Sequence, residues 1–294
     1  MATVSQWVEG ARPRTLGAAV APIAVGTGVA AWAGALQPLR ALLALIVMVA
    51  AQVGVNYAND YSDGVRGTDR ERVGPVRLVG QGLAAPAQVR TAAVACLAVS
   101  AAAGLLLVAL TGQWWLLIPG ALCLAAAWLY TGGPAPYGYL GLGEVAVFLF
   151  FGLVPAVGTA YVQTLRIDTA AWVGGIGVGA LACAILVANN LRDIPTDTEA
   201  GKRTLAVRIG DRATRILYVA LVVAAFAVIP PLAIGTGLGL RFAWAALLAV
   251  PLAVRPTLAV SRGAVGRDLV TVLKGTGLLT LAYGLLLGLG IGLS

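Results

Sequence analysis

Histidine is absent from this chain of 294 residues. Its absence excludes His-ligated haem, His-rich metal sites and any Ser-His-Asp mechanism, leaving acid–base work to carboxylates, lysine, tyrosine or a substrate. Cysteine is nearly absent: Cys96, Cys123 and Cys183 fall singly in three apolar stretches, which reads as small buried residues and not as a disulfide or thiolate framework. Charge is scarce as well. Only 11% of residues are charged, and twelve carboxylates stand against twenty Lys and Arg.

What fills the chain is apolar. With 60% hydrophobic residues and a mean hydropathy of +0.90, the composition is that of a polytopic membrane protein. Nine segments are apolar enough to span, at roughly 16–34, 41–60, 87–110, 114–130, 143–163, 170–190, 213–235, 242–260 and 270–292. The first is expected to remain as a span and not to be a cleaved signal, because further spans follow it without pause. Short alternating segments of the β-barrel kind are missing. The expectation is an all-α membrane helical bundle forming one integral-membrane domain over 1–294, its 38 glycines suiting close helix packing.

The basic residues are distributed unevenly. Seventeen of the twenty Lys and Arg lie in the loops of one side, leaving Arg40, Arg166 and Arg241 on the other. The positive-inside rule puts the rich side, and with it the N-terminus, in the cytoplasm. The pI of 9.9 thus reflects topology and anionic lipid or substrate, and nucleic acid explains it poorly.

Seven of the twelve acidic residues crowd into two windows: Asp60, Asp63, Asp69 and Glu71, then Asp193, Asp197 and Glu199. Four spans separate the windows, so both return to the cytoplasmic side and can converge. In the first, Gln52, Asn56, Asn59/Asp60 and Asp63 recur at steps of three and four, a polar stripe on one helix face. Lipid offers such a stripe no hydrogen bonds, so it faces a cavity or partner groups. Gly64 and Gly67 then favour a break into a loop, with Arg77 beyond it. In the second, Asn189, Asp193 and Asp197 step by four, and Pro195 predicts a kink or a fresh helix start. Carboxylate and amide oxygens are hard ligands suited to magnesium, which shares them with substrate phosphates. Flanking Arg and Lys can take the remaining phosphate oxygens. The bland reading, in which these charges only set topology, gives no reason for two Asn/Asp-lined helix ends on one face.

The segments Asn56-Tyr-Ala-Asn59-Asp60-Tyr-Ser-Asp63 and Asn190-Leu-Arg192-Asp193-Ile-Pro-Thr-Asp197 through Lys202 and Arg208 to Gly210 resemble the UbiA superfamily of intramembrane prenyltransferases. Ala11-Arg-Pro-Arg-Thr-Leu16 and Tyr130-Thr-Gly-Gly-Pro134 through Gly141-Leu-Gly-Glu144 look like its MenA branch, the 1,4-dihydroxy-2-naphthoate polyprenyltransferases. The resemblance covers nearly the whole chain. One departure is that the superfamily pattern NDxxDxxxD, begun at Asn59, would end at position 67, where this chain has Gly67 and then Asp69. The MenA branch resembles this arrangement, and whether Asp69 reaches a metal stays open.

The resemblance implies a magnesium-dependent transfer of a polyprenyl group from polyprenyl diphosphate to 1,4-dihydroxy-2-naphthoate. Loss of carbon dioxide would give demethylmenaquinone, and the site would face the cytoplasm at the cell membrane. Asp63, Asp193 and Asp197, helped by Asn59 and Asp60, are the expected metal ligands. Asn56, Arg77, Lys202 and Arg208 are the expected donor-binding residues, the last three as phosphate contacts. Arg192, with Arg66 as the alternative, would meet the acceptor carboxylate. The loop 131–143 reads equally as a lid or as a tight turn with aromatic anchors. Tyr130 and Tyr139 could face a cation through their rings, and Glu144 reads as an interfacial charge or a site residue. Relatives sharing these metal motifs use 4-hydroxybenzoate, haem, chlorophyllide or phosphoribose acceptors. From another class, an organic-anion transporter would place such groups nearer the midplane.

Overall fold

A computed structural model describes residues 2–67, 76–235 and 239–294, and every regular element among them is helical. The short helix α1 (Val4–Gly10) precedes α2 (Gly17–Trp32), α3 (Pro38–Arg66), α4 (Pro86–Thr111) and α5 (Leu117–Leu129). Helix α6 (Gly143–Phe148) runs through a π turn (Leu149–Leu153) into α7 (Val154–Thr164). Then follow α8 (Thr169–Glu199), α9 (Leu205–Ala227), α10 (Val250–Ser261), which a 3-10 segment (Arg241–Ala249) leads into, and α11 (Arg267–Gly292).

Seven helices among the described residues are long and apolar enough to cross a membrane, and the bent pair Val4–Thr15 and Gly17–Trp32, angled at 49°, makes an eighth if taken as one span. The remaining expected segment is the apolar helix Trp114–Leu129, which is shorter. Its sixteen residues rise about 24 Å, less than the ~30 Å hydrocarbon core. Trp114 and Trp115 at its start are exposed, as suits an interfacial belt.

Local chemistry explains the ends of the helices that carry the site. Pro38 opens α3, and Gly67 closes it in the left-handed region at φ 75°, where a side chain would be strained. The Asp168 carboxylate caps α8 by accepting the Ala170 N–H at 2.7 Å. Contrary to expectation, α8 continues through Pro195 to Glu199. The break lies instead at Gly210, whose φ of 79° and ψ of 172° bend α9. Pro195 lacks the N–H that would reach the Leu191 carbonyl, and the helix carries on past that one missing bond to Glu199. Only a residue without a Cβ easily adopts the Gly210 geometry.

Helix α8 is the central element, with 78% of its most apolar stretch buried. It packs on α9, α11 and α2, while α3 lies along α4 and α2 along α11. Where α2 crosses α11, a Cβ on Gly28 or Gly288 would run into the other helix's backbone. Such close approach is how helices gain dispersion energy where lipid supplies no hydrophobic drive. Gly288→Val should therefore destabilise the protein by about 1–3 kcal/mol through overpacking. Thermal unfolding in detergent would read this, and an unchanged midpoint would refute the crossing.

Candidate active site

The polar stripe of α3 divides its work. Its upper part holds the N-terminal arm: the Gln52 amide donates to Thr15 Oγ1 at 3.1 Å, and Asn56 Nδ2 to the Ala11 carbonyl at 2.9 Å. The Tyr57 hydroxyl donates to the Trp7 carbonyl at 2.8 Å. Its lower part meets three different segments. Asn59 Oδ1 accepts from the Thr131 hydroxyl at 2.7 Å. The Asp60 carboxylate, in a residue 1% exposed, accepts the backbone N–H groups of Leu78 and Val79 at 2.7 and 3.2 Å. Asp63 Oδ1 accepts from the Tyr139 hydroxyl at 2.5 Å and from Lys202 Nζ at 3.2 Å, while Arg77 stands 3.9 Å from Oδ2.

The second cluster reaches the first through a turn. The Lys202 N–H donates to the Asp197 carbonyl at 2.8 Å, closing the end of α8 and returning the lysine toward α3. Its ammonium lies 4.6 Å from the centre of the Tyr139 ring, and the Arg66 guanidinium 5.5 Å, so Tyr139 does face cations. Further up α8, Arg192 donates from Nε and Nη2 to the two oxygens of Asp193 at 2.7 and 2.8 Å, and from Nη2 to Asn189 Oδ1 at 2.8 Å.

The loop after α5 is bonded down. Arg66 donates to the Thr131 carbonyl and, at 2.6 Å, to that of Gly133, and the Arg203 N–H donates to the Tyr139 carbonyl at 3.0 Å. Burial and then the Asp63 carboxylate push the Tyr139 hydroxyl well above its ordinary pKa, so it remains a protonated donor. Tyr137 rises to about 12 through burial, then Cys123.

A cavity of about 690 Å³ opens beside these groups. Its polar end includes Asn56, Asn59, Arg77, Asn189 and Arg192, and most of its remaining wall is apolar, with Val47, Leu105, Phe151 and Ile185 among the residues there. Neighbours from both windows, Asn56 and Asn59 of α3 and Asn189 and Arg192 of α8, therefore share one cavity, while Asp60, Asp63, Asp193, Asp197 and Lys202 are not among the residues that line it. Not every predicted residue joins it. Arg208 is exposed, does not line the cavity, and donates from Nε to the Arg203 carbonyl at 3.1 Å. Arg66, the alternative for an acceptor carboxylate, is bonded to loop carbonyls. Asp69 and Glu71 lie outside the described residues, and Glu199 is exposed. Thr131, Arg14 and Lys274 went unnoticed in the sequence as site residues, although the last two line the cavity. Thr131 stood inside a motif that carried the resemblance, whereas nothing in the sequence distinguished Lys274.

The model of the UbiA prenyltransferase family matches residues 19–264. This chain belongs to the UbiA prenyltransferase family. It is similar to the 1,4-dihydroxy-2-naphthoate octaprenyltransferase of Mycobacterium tuberculosis, with 54% identity over 288 residues that cover 97% of this chain and 96% of the relative. Among solved structures, the apo UbiA homolog from Aeropyrum pernix K1 superposes with a TM-score of 0.69 at 18% identity, over 94% of this chain and 96% of that one. A UbiA homolog from Archaeoglobus fulgidus bound to GPP and Mg2+ gives 0.63 at 15% identity, over 94% and 99%. The two structures share the fold, and the chain is a multi-pass membrane protein of the UbiA family.

The donor chemistry suits a divalent cation of the magnesium type, since Asn and Asp oxygens are hard ligands. The five expected ligands are nevertheless not gathered round one point. Among the described residues no three Asp, Glu, Cys or His side chains are grouped to hold an ion. Asp60 is turned to the amides of Leu78 and Val79, and Asn59 Oδ1 to Thr131. Magnesium commonly takes only one or two carboxylates beside waters and substrate phosphates, so Asp63 and Asp197 still fit it.

Proposed function

We propose that this protein transfers a polyprenyl group from polyprenyl diphosphate to 1,4-dihydroxy-2-naphthoate, with decarboxylation, in a magnesium-dependent reaction of menaquinone synthesis. The observation that carries this reading is the 54% identity over 97% of the chain to a naphthoate octaprenyltransferase. The GPP and Mg2+ in a structure of the same fold support the donor and the metal. The chain acts as a single integral-membrane domain in the cell membrane, with its N-terminus and polar site toward the cytoplasm, where most of its Lys and Arg lie.

Asp63 and Asp197 would hold the metal, which when bound supplies charge neutralisation to the diphosphate; Asp193, expected beside them, has both its oxygens bonded to Arg192. Lys202 and Arg77 flank Asp63 and would bind the phosphate oxygens directly. Tyr139 holds the Asp63 carboxylate in place. As the allylic C–O bond breaks, its electron pair leaves with the diphosphate. The apolar wall excludes water from the allylic cation, and the ring carbon bearing the carboxylate forms the new C–C bond. Carbon dioxide then departs, leaving its bonding pair to the ring and yielding the quinol form of demethylmenaquinone. No strong protein base is required, which accords with a chain lacking histidine.

Purified protein in lipid, given ring-labelled dihydroxynaphthoate and a polyprenyl diphosphate, should form labelled prenylated quinone only with magnesium. Prenylation of 4-hydroxybenzoate in place of the naphthoate would overturn the acceptor. A product formed equally with excess chelator would overturn the metal requirement.

A further inference from the structure

Arg192 combines three properties seldom found together. Its side chain is 2% exposed, its residue lines the cavity, and its Nη1 is buried without a hydrogen-bond partner. The other edge of the guanidinium is locked: Nε and Nη2 are taken by Asp193, and Nη2 also by Asn189. A charged donor left unpaired in a buried place is costly, and a ligand oxygen would remove that cost.

The surroundings identify the oxygen. Ala182, Ile185, Asn189 and Arg192 all line the cavity and recur along α8 at steps of three and four. One helix face thus runs from an apolar end to a single oriented cation. Asp193 lies within bonding distance of the guanidinium, so the pair presents a directed donor with little surplus charge. That suits a singly charged carboxylate. A diphosphate carries several charges and is better matched where Lys202 and Arg77 gather around Asp63.

We propose that Arg192, oriented by Asp193 and Asn189, binds the ring carboxylate of the aromatic acceptor through Nη1, and thereby selects carboxylated aromatics. Asp193 and Asn189 are then positioning residues for the acceptor. This rests on the proposed reaction for the acceptor's identity, but the binding it predicts can be measured without turnover.

The test uses the full chain in detergent with two inert probes, 2-naphthoate and 2-naphthamide, and with polyprenyl diphosphate as a third ligand. Arg192→Gln should weaken 2-naphthoate binding about 10- to 100-fold, the usual worth of a charge-assisted hydrogen bond. Binding of 2-naphthamide and of the diphosphate should not change. Equal losses for both naphthalene probes would overturn the proposal, as a merely structural role. Loss of diphosphate affinity with naphthoate binding intact would also overturn it, because the anion at Arg192 would be phosphate. If Arg192→Gln does not fold, Arg192→Lys gives the same comparison with a loss of about fivefold expected from its poorer fork geometry; unchanged naphthoate affinity there would overturn the proposal. Arg192-dependent naphthoate binding without any prenylated naphthoquinone would sink the proposed reaction alone. Turnover with an unaltered acceptor KM in Arg192→Gln would sink this proposal alone.

Discussion

Asp63→Asn should lower kcat/KM for prenyl transfer about 10³-fold, or roughly 4 kcal/mol of transition-state stabilisation, while leaving the bundle folded. Asp63 is where both clusters meet, taking the Tyr139 hydroxyl, Lys202 from beyond α8 and, at 3.9 Å, Arg77. The substitution preserves shape and an acceptor oxygen for Tyr139 but removes the charge. Lys202, 8% exposed, would then lie buried beside a neutral amide. Breaking a buried pair in this way leaves an uncompensated charge, so some loss of thermal stability should accompany the loss of rate. Steady-state kinetics beside a thermal melt would separate the two. A variant with at least a tenth of the original kcat/KM would show that Asp63 is not central to the chemistry.

Asp60→Ala should act chiefly on structure. Its carboxylate accepts the buried backbone N–H of Leu78 and the part-buried one of Val79, and so bonds this segment to α3. Orphaning both donors should cost about 1–3 kcal/mol each. Leu78, fully buried against Tyr57, Ala58 and Val89, would lose its anchor. Amide exchange at Leu78 and Val79 should accelerate about 10- to 100-fold or more, with Asp60→Asn intermediate because the amide keeps one acceptor oxygen. Arg77, the neighbour of Leu78, would be displaced from Asp63, so activity should fall as well. A loss of activity with unchanged exchange at both amides would instead make Asp60 a direct ligand.

These two aspartates show how far the sequence was legible. Asp60 and Asp63 stand three residues apart on one stripe, and spacing alone gave them the same role. The structure gives them different neighbours, backbone amides for one and a tyrosine, a lysine and an arginine for the other. Gln52 and Asn56 likewise carry the N-terminal arm as well as lining the cavity. Arg208 read as a phosphate contact because it lay in a basic motif, yet its guanidinium turns back to Arg203. Pro195 was expected to kink or restart the helix, yet α8 runs through it to Glu199, and the non-helical break falls at Gly210, where a glycine at φ 79° permits a sharp bend.

The sequence by itself determined the all-helical membrane class, the places of the apolar helices, and the grouping of polar chemistry into two windows. It could do so because lipid forces backbone bonds inside each helix and forbids idle polar groups, constraints that act along the chain. Tertiary structure alone decided that Lys202 meets Asp63 across 139 positions, that Tyr139 and Thr131 close on α3, and that Arg192 is locked by Asp193 and Asn189 beside the cavity. Helical periodicity states which residues share a face. Only packing brings another segment's donors and acceptors against that face, and so assigns each side chain its partner.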